Sequence, residues 1–131
     1  MGLNVLLVDD EVDFAETLAE RLRLRGFSPM VANGGEQALR MIVDFPVTVM
    51  VLDLKMPGMD GLEVLRRLQK IRPEIQVIIL SGHGSEIDED CARSLGAFEY
   101  LRKPADIGAV VDALKKAENL ACCRQSARET V

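Results

Sequence analysis

Val47-Thr48-Val49-Met50-Val51-Leu52-Asp53 is an apolar run of strand length that ends on a carboxylate, and Leu3-Asn4-Val5-Leu6-Leu7-Val8 ends likewise on Asp9-Asp10. A buried strand that stops at an acid puts the charge at the edge of its sheet, where solvent and ligands reach it. Three carboxylates gathered there resist joint ionisation unless a cation joins them. Hard oxygen donors of this kind suit magnesium, which takes one or two carboxylates and completes its shell with water and phosphate oxygens.

Apolar runs of strand length recur at 3–8, 28–32, 47–52, 75–80 and 97–102. Segments of helical periodicity lie between them. The first, at about 11–25, sets Phe14, Leu18 and Leu22 four apart on one face, with Gly26 as a C-terminal stop. Asn33 with Glu36, and Asp60 with Glu63, form capping-box patterns that open the second and third helices. Ser85 and Asp88 offer a weaker version before a short helix that ends near Leu95-Gly96, and a fifth helix follows Pro104. Strict β–α alternation predicts a single α/β domain: five parallel strands with right-handed crossovers, doubly wound by five helices. The pattern decays from about Glu118, so residues 1–120 are expected to form the domain and 121–131 a tail or the start of a linker.

The chain has 131 residues, enough for one domain with a sizeable core. Hydrophobic residues make up 48% and aromatics 4%, so the core must be aliphatic, as in a parallel sheet. Acids outnumber bases 21 to 16, a net charge of -5, which leaves no basic excess to neutralise nucleic-acid phosphates. Three cysteines, two of them the adjacent Cys122 and Cys123, make a poor disulfide framework, and Cys91 is expected to pack as a small apolar residue. No stretch has the length of a membrane span, no charged-then-apolar leader opens the chain, and Leu6 stands where a myristoylation signal needs Ser or Thr. A reduced, cytoplasmic setting is expected.

Ligands of open α/β sheets bind beyond the carboxyl ends of the strands, where strand order reverses. Asp9, Asp10 and Asp53 converge on one pocket if the first and third strands are neighbours there. Ser81 and Lys103 end the fourth and fifth strands. Each alone has a plain structural reading, but every strand except the second ends in a group that can bind a metal ion or a phosphate.

With these residues in place the chain resembles a response-regulator receiver domain of two-component signalling, chemotaxis regulators included. The resemblance covers roughly residues 3–117 and rests on VLLVDDE at 5–11, VLDLKMPGMDG at 51–61, ILSGHG at 79–84 and GAFEYLRKP at 96–104. It implies a flavodoxin-like sheet of strand order 2-1-3-4-5. It also implies a switch phosphorylated on Asp53 by a sensor histidine kinase or a phosphotransfer protein, catalysing only its own phosphorylation and dephosphorylation. Asp10 and Asp53 would ligate magnesium directly, Asp9 directly or through water, and the backbone carbonyl of Lys55 would add an oxygen. Ser81 would donate its hydroxyl to the phosphoryl group and Lys103 would ion-pair with it. Tyr100 would turn inward as Ser81 moves, coupling the pocket to a face of the fourth helix, fifth strand and fifth helix where partners or a second receiver dock. The downstream partner stays open, since the chain could be a stand-alone receiver or the receiver of a longer protein.

Met56-Pro57-Gly58-Met59 reads as a tight loop, its methionines also candidates for a kinase-facing surface. Lys103-Pro104 is a candidate cis peptide, as in the family, and His83 reads as a solvated loop residue. Ala105 departs from the family, where a bulky apolar residue is common after Lys-Pro. A dehalogenase-type phosphatase would need a second Asp two residues after Asp53, where Lys55 stands. A flavin carrier would need a loop rich in Ser, Thr and Gly where Asp-Asp-Glu stands. The complete site argues against a scaffold that has lost phosphorylation.

Overall fold

The computed structural model describes residues 3–82 and 86–129, with side chains as far as residue 120. Strands and helices alternate: β1 (Asn4–Val8), α1 (Val12–Arg23), β2 (Ser28–Ala32), α2 (Gly35–Asp44), β3 (Val49–Leu52), α3 (Gly61–Ile71), β4 (Gln76–Ser81), α4 (Glu86–Ser94), β5 (Glu99–Arg102) and α5 (Ile107–Glu129). The strands form one parallel sheet in the order β2-β1-β3-β4-β5, as expected from the alternation and the resemblance.

Side chains of a strand alternate between the two faces of its sheet, and here both faces are covered. Leu6, Val8, Met50, Leu52, Val77 and Ile79 pack on one face with α2, α3 and α4. Val5, Leu7, Val49, Val51, Ile78 and Leu80 pack on the other with Leu18 and Leu22 of α1 and Val110 and Leu114 of α5. Double coverage explains why the strands read as continuous apolar runs.

Particular sequence expectations need adjustment. Asn33 is not the cap of α2: that place falls to Gly34, which makes no side-chain capping bond. The Asn33 amide side chain donates to the Asp9 carbonyl at 3.4 Å, while its backbone N–H donates to Gln37 Oε1 at 2.9 Å. A tertiary partner therefore took the cap side chain and shifted the helix start. Asp60 does cap α3, accepting from the Glu63 N–H at 3.0 Å, but Glu63 turns to Arg66 and Arg67 rather than back to the cap. Cys91 is exposed, contrary to expectation, because its neighbour Ala92 occupies the inward face of α4. Met56 is buried, and Met59, partly buried, packs against the same core. The backbone of α5 stays helical through Glu129, past the expected start of the tail. Ser85 and His83, and the side chains of Cys122 and Cys123, lie outside the described residues.

Candidate functional site

Register assembles the site. Val8 pairs with Leu52, and the Asp53 N–H donates to the Val8 carbonyl at 3.0 Å, so Asp9 and Asp53 leave adjacent strands at one level. Asp9, Asp10 and Asp53 can each turn a carboxylate oxygen to within 4.8 Å of the others. Asp9 is 5% and Asp53 2% exposed, while Asp10 reaches solvent. Asp9 Oδ1 accepts from the Glu11 N–H at 2.9 Å, which anchors the loop before α1. Asp53 Oδ1 is buried with no hydrogen-bond partner.

A buried acceptor left unpaired is costly, and the two further carboxylates beside it make the cost larger. Burial raises the Asp53 carboxyl above its usual value, and the charge of Asp9 raises it further. The Lys103 ammonium, the Ser81 hydroxyl and the Lys55 backbone N–H act in the opposite direction. The donor set, its spacing and the unpartnered Oδ1 all fit a hard divalent cation.

Lys103 follows β5, at the opposite end of the site. Its N–H donates to the Ser81 carbonyl at 3.1 Å, which holds the end of β5 against β4. Its ammonium lies 2.8 Å from Asp9 Oδ2 and 3.4 Å from Glu11 Oε1. Burial disfavours its charge, but the hydrogen bond and charge of Asp9, with Asp53 and Glu11 behind them, outweigh burial and raise its pKa. The Lys103–Pro104 peptide is cis. Lys55 turns its side chain away from the cluster, to Asp88 of α4 at 3.5 Å.

Strand alternation divides the remaining residues. Ser81 and Tyr100 belong to the sheet face covered by α4; Ser81 is 1% exposed, and Tyr100 lies within that core. The Tyr100 hydroxyl is buried without a hydrogen-bond partner, and burial raises its pKa. The ring is thus already inward, with the Arg102 guanidinium 5.4 Å from its centroid.

Two neighbours of the site were not singled out in the sequence. Glu11 closes the VLLVDDE motif, which assigns it no role of its own. Periodicity assigns Phe14 to the inner face of α1, where it does pack, but its ring centroid also lies 4.1 Å from the Lys103 ammonium. Gly61 is a third close neighbour: a Cβ there would overlap the Asp53 carbonyl oxygen and crowd Leu54 Cα. Ala105 lines a cavity of about 70 Å³ with Phe14, Leu18 and Ile107.

Comparison with known proteins places this arrangement. The sequence profile of the response regulator receiver domain matches residues 5–115. A response regulator of Rickettsia bellii described as NtrX-like is 39% identical over 88% of this chain and 24% of its own length. The chain thus spans about a quarter of such relatives. Sporulation initiation phosphotransferase F of Bacillus subtilis is 35% identical over 88% of this chain and 94% of its own length. Among solved structures, NtrX from Brucella abortus superposes with a TM-score of 0.92 at 28% identity, over 100% of this chain and 30% of that one. A CheY-like receiver domain protein from Methanospirillum hungatei shares the fold, with a TM-score of 0.90 at 22% identity over 95% of this chain and 99% of that one. By profile, by relatives and by fold, the chain belongs to the response regulator receiver domain family.

Proposed function

We propose that this chain is a phosphorylation-activated signalling receiver that accepts a phosphoryl group on Asp53 and switches a partner-binding face. The observation that carries the reading is the buried Asp53 Oδ1, which lacks a hydrogen-bond partner although acids, a hydroxyl and an ammonium surround it. Such an atom is held ready for a partner outside the chain. Asp9, Asp10 and Asp53, with the backbone carbonyl of Lys55, would hold Mg²⁺. When bound, that ion would supply neutralising charge for the oxygens of a phosphoryl group.

The chain's own residues do the rest. An Asp53 carboxylate oxygen forms the new P–O bond, and the bond to the donor breaks with its electron pair leaving on the donor. Lys103 neutralises charge on the transferring group, and Ser81 donates its hydroxyl to it. The product is a mixed anhydride, which transfers or hydrolyses readily and suits a reversible signal. The donor is a histidine kinase or a phosphotransfer protein, a reading supported by membership of the receiver family and by a relative named as a phosphotransferase. The chemistry is confined to the chain's own phosphorylation and dephosphorylation.

Ser81 and Tyr100 share the sheet face covered by α4, which supports a route from pocket to surface. The surface of α4, β5 and α5 would receive a downstream protein, an effector domain or a second copy. Residues 1–120 would form the receiver and 121–131 lead away from it, in a cytoplasmic setting. No helix among the described residues is long and apolar enough to cross a membrane.

The test is labelling with acetyl phosphate and magnesium, read by intact mass. The wild type should gain one labile phosphoryl group and Asp53→Asn none. Undiminished labelling of that variant would move the phosphoacceptor elsewhere.

A further inference from the structure

We propose that Phe14 is a positioning residue for Lys103, its ring face keeping the ammonium inside the phosphoryl pocket. The inference rests on the receiver reading above and adds to the site a residue from α1.

The ammonium has three close neighbours. Asp9 Oδ2 lies at 2.8 Å, Glu11 Oε1 at 3.4 Å and the centroid of the Phe14 ring at 4.1 Å. The two carboxylates differ in setting: the Asp9 side chain is 7% exposed and the Glu11 side chain 57%. A lysine drawn to Glu11 moves outward into water, while one drawn to Asp9 stays beside Asp53. The negative face of an aromatic ring attracts a cation at this distance, and more strongly where water is excluded. The Lys103 side chain is 14% exposed, so water is largely excluded here.

The ring is well placed to hold the inner position. Phe14 sits in the first turn of α1, and the helix is tied to the metal loop by the Glu11 N–H bond to Asp9. Phe14 also lines one cleft with Asp9 and Asp53. The lysine comes from the end of β5 and the ring from α1, and the two meet at the ammonium. An aliphatic residue at position 14 would keep an apolar contact with this core but lack the charge-attracting face.

The step affected is the transfer already described. With acetyl phosphate, an Asp53 oxygen bonds to phosphorus while the phosphorus–oxygen bond to acetate breaks, its electron pair departing on acetate. Lys103 gives up no proton and contributes only its charge, so the time it spends in the pocket sets its effect.

A double-mutant cycle tests this in the full chain. Phe14→Leu should slow labelling by acetyl phosphate about threefold to tenfold, and Phe14→Tyr should stay within about twofold of wild type. In the Lys103→Ala background, Phe14→Leu should cost nothing further, since the ring then has no cation to hold. Equal slowing with and without the lysine would make Phe14 a packing residue and overturn the proposal, as would an unchanged rate in Phe14→Leu. A separate measurement needs no phosphorylation. The Lys103 ε-methylene protons should be shifted upfield by the ring in wild type and Phe14→Tyr, and return toward ordinary lysine values in Phe14→Leu. Ordinary values in wild type would overturn the proposal whatever becomes of the receiver reading. A shifted wild-type signal in protein that cannot be labelled would leave the ring contact standing and count against the receiver reading instead.

Discussion

The ammonium of Lys103 lies 2.8 Å from Asp9 Oδ2, although the two residues are 94 positions apart in sequence and follow strands that are not neighbours. The strand order places β3 and β4 between them, so the lysine spans the mouth of the pocket above Asp53. This cross-strand pair closes the acidic cluster on one side and keeps a positive charge beside the carboxylate proposed to be phosphorylated.

The first prediction concerns pH. Burial and Asp9 raise the Asp53 carboxyl, so without metal the folded protein binds this proton more tightly than the unfolded chain. Stability then falls as pH rises from the ordinary carboxylate value through the raised one. Asp53→Asn, which has no such proton, should be more stable than wild type in chelator near neutral pH, and the difference should vanish in acid. Urea denaturation across pH measures it; a gap independent of pH would show that ionisation of Asp53 is not its source.

Magnesium should offset the same cost. Binding to the three carboxylates stabilises the folded state by mass action, by roughly 2.7 kcal/mol at a hundredfold excess over the dissociation constant. Asp10→Asn removes one ligand and should shift the response to higher magnesium. The readout is the melting temperature in a titration of protein first stripped with chelator, where a flat curve for wild type would count heavily against the site.

Ser81→Ala should permit phosphorylation, at a reduced rate, while weakening the conformational response. Ser81 and Tyr100 lie on the same sheet face, and the proposed coupling runs between them. Each 1.4 kcal/mol of differential stabilisation changes a two-state population tenfold, so one lost hydrogen bond is enough to blunt the switch. NMR shift changes on phosphorylation should reach residues 86–105 in wild type and shrink in the variant. A wild-type response confined to the loops around Asp53 would show that signalling uses another surface.

Gly61→Ala should destabilise the fold by about 1–3 kcal/mol, because the added methyl meets the backbone of Asp53 and Leu54, which cannot rotate away. It should also impair labelling, since the same backbone carries the phosphoacceptor. Chemical denaturation and acetyl phosphate labelling are measured together; wild-type values in both would mean that the loop relaxes freely.

Much of this protein was legible in the chain itself. Runs such as Val47 to Leu52 are apolar at every position but Thr48, which marks strands covered on both faces, and the acids that follow them lie at one sheet edge by topology alone. Periodicity likewise located α1 and α3, because local patterns report a local choice between helix and strand. Contacts between distant residues carry no such local signature. The Asn33 side chain left its helix for the Asp9 carbonyl, and Cys91 turned outward because Ala92 took the inward face. Lys103 chose Asp9 and the Phe14 ring, and Asp53 Oδ1 was left without a partner. These outcomes depend on distances of a few tenths of an ångström between side chains from different elements, which only the packed sheet and helices determine.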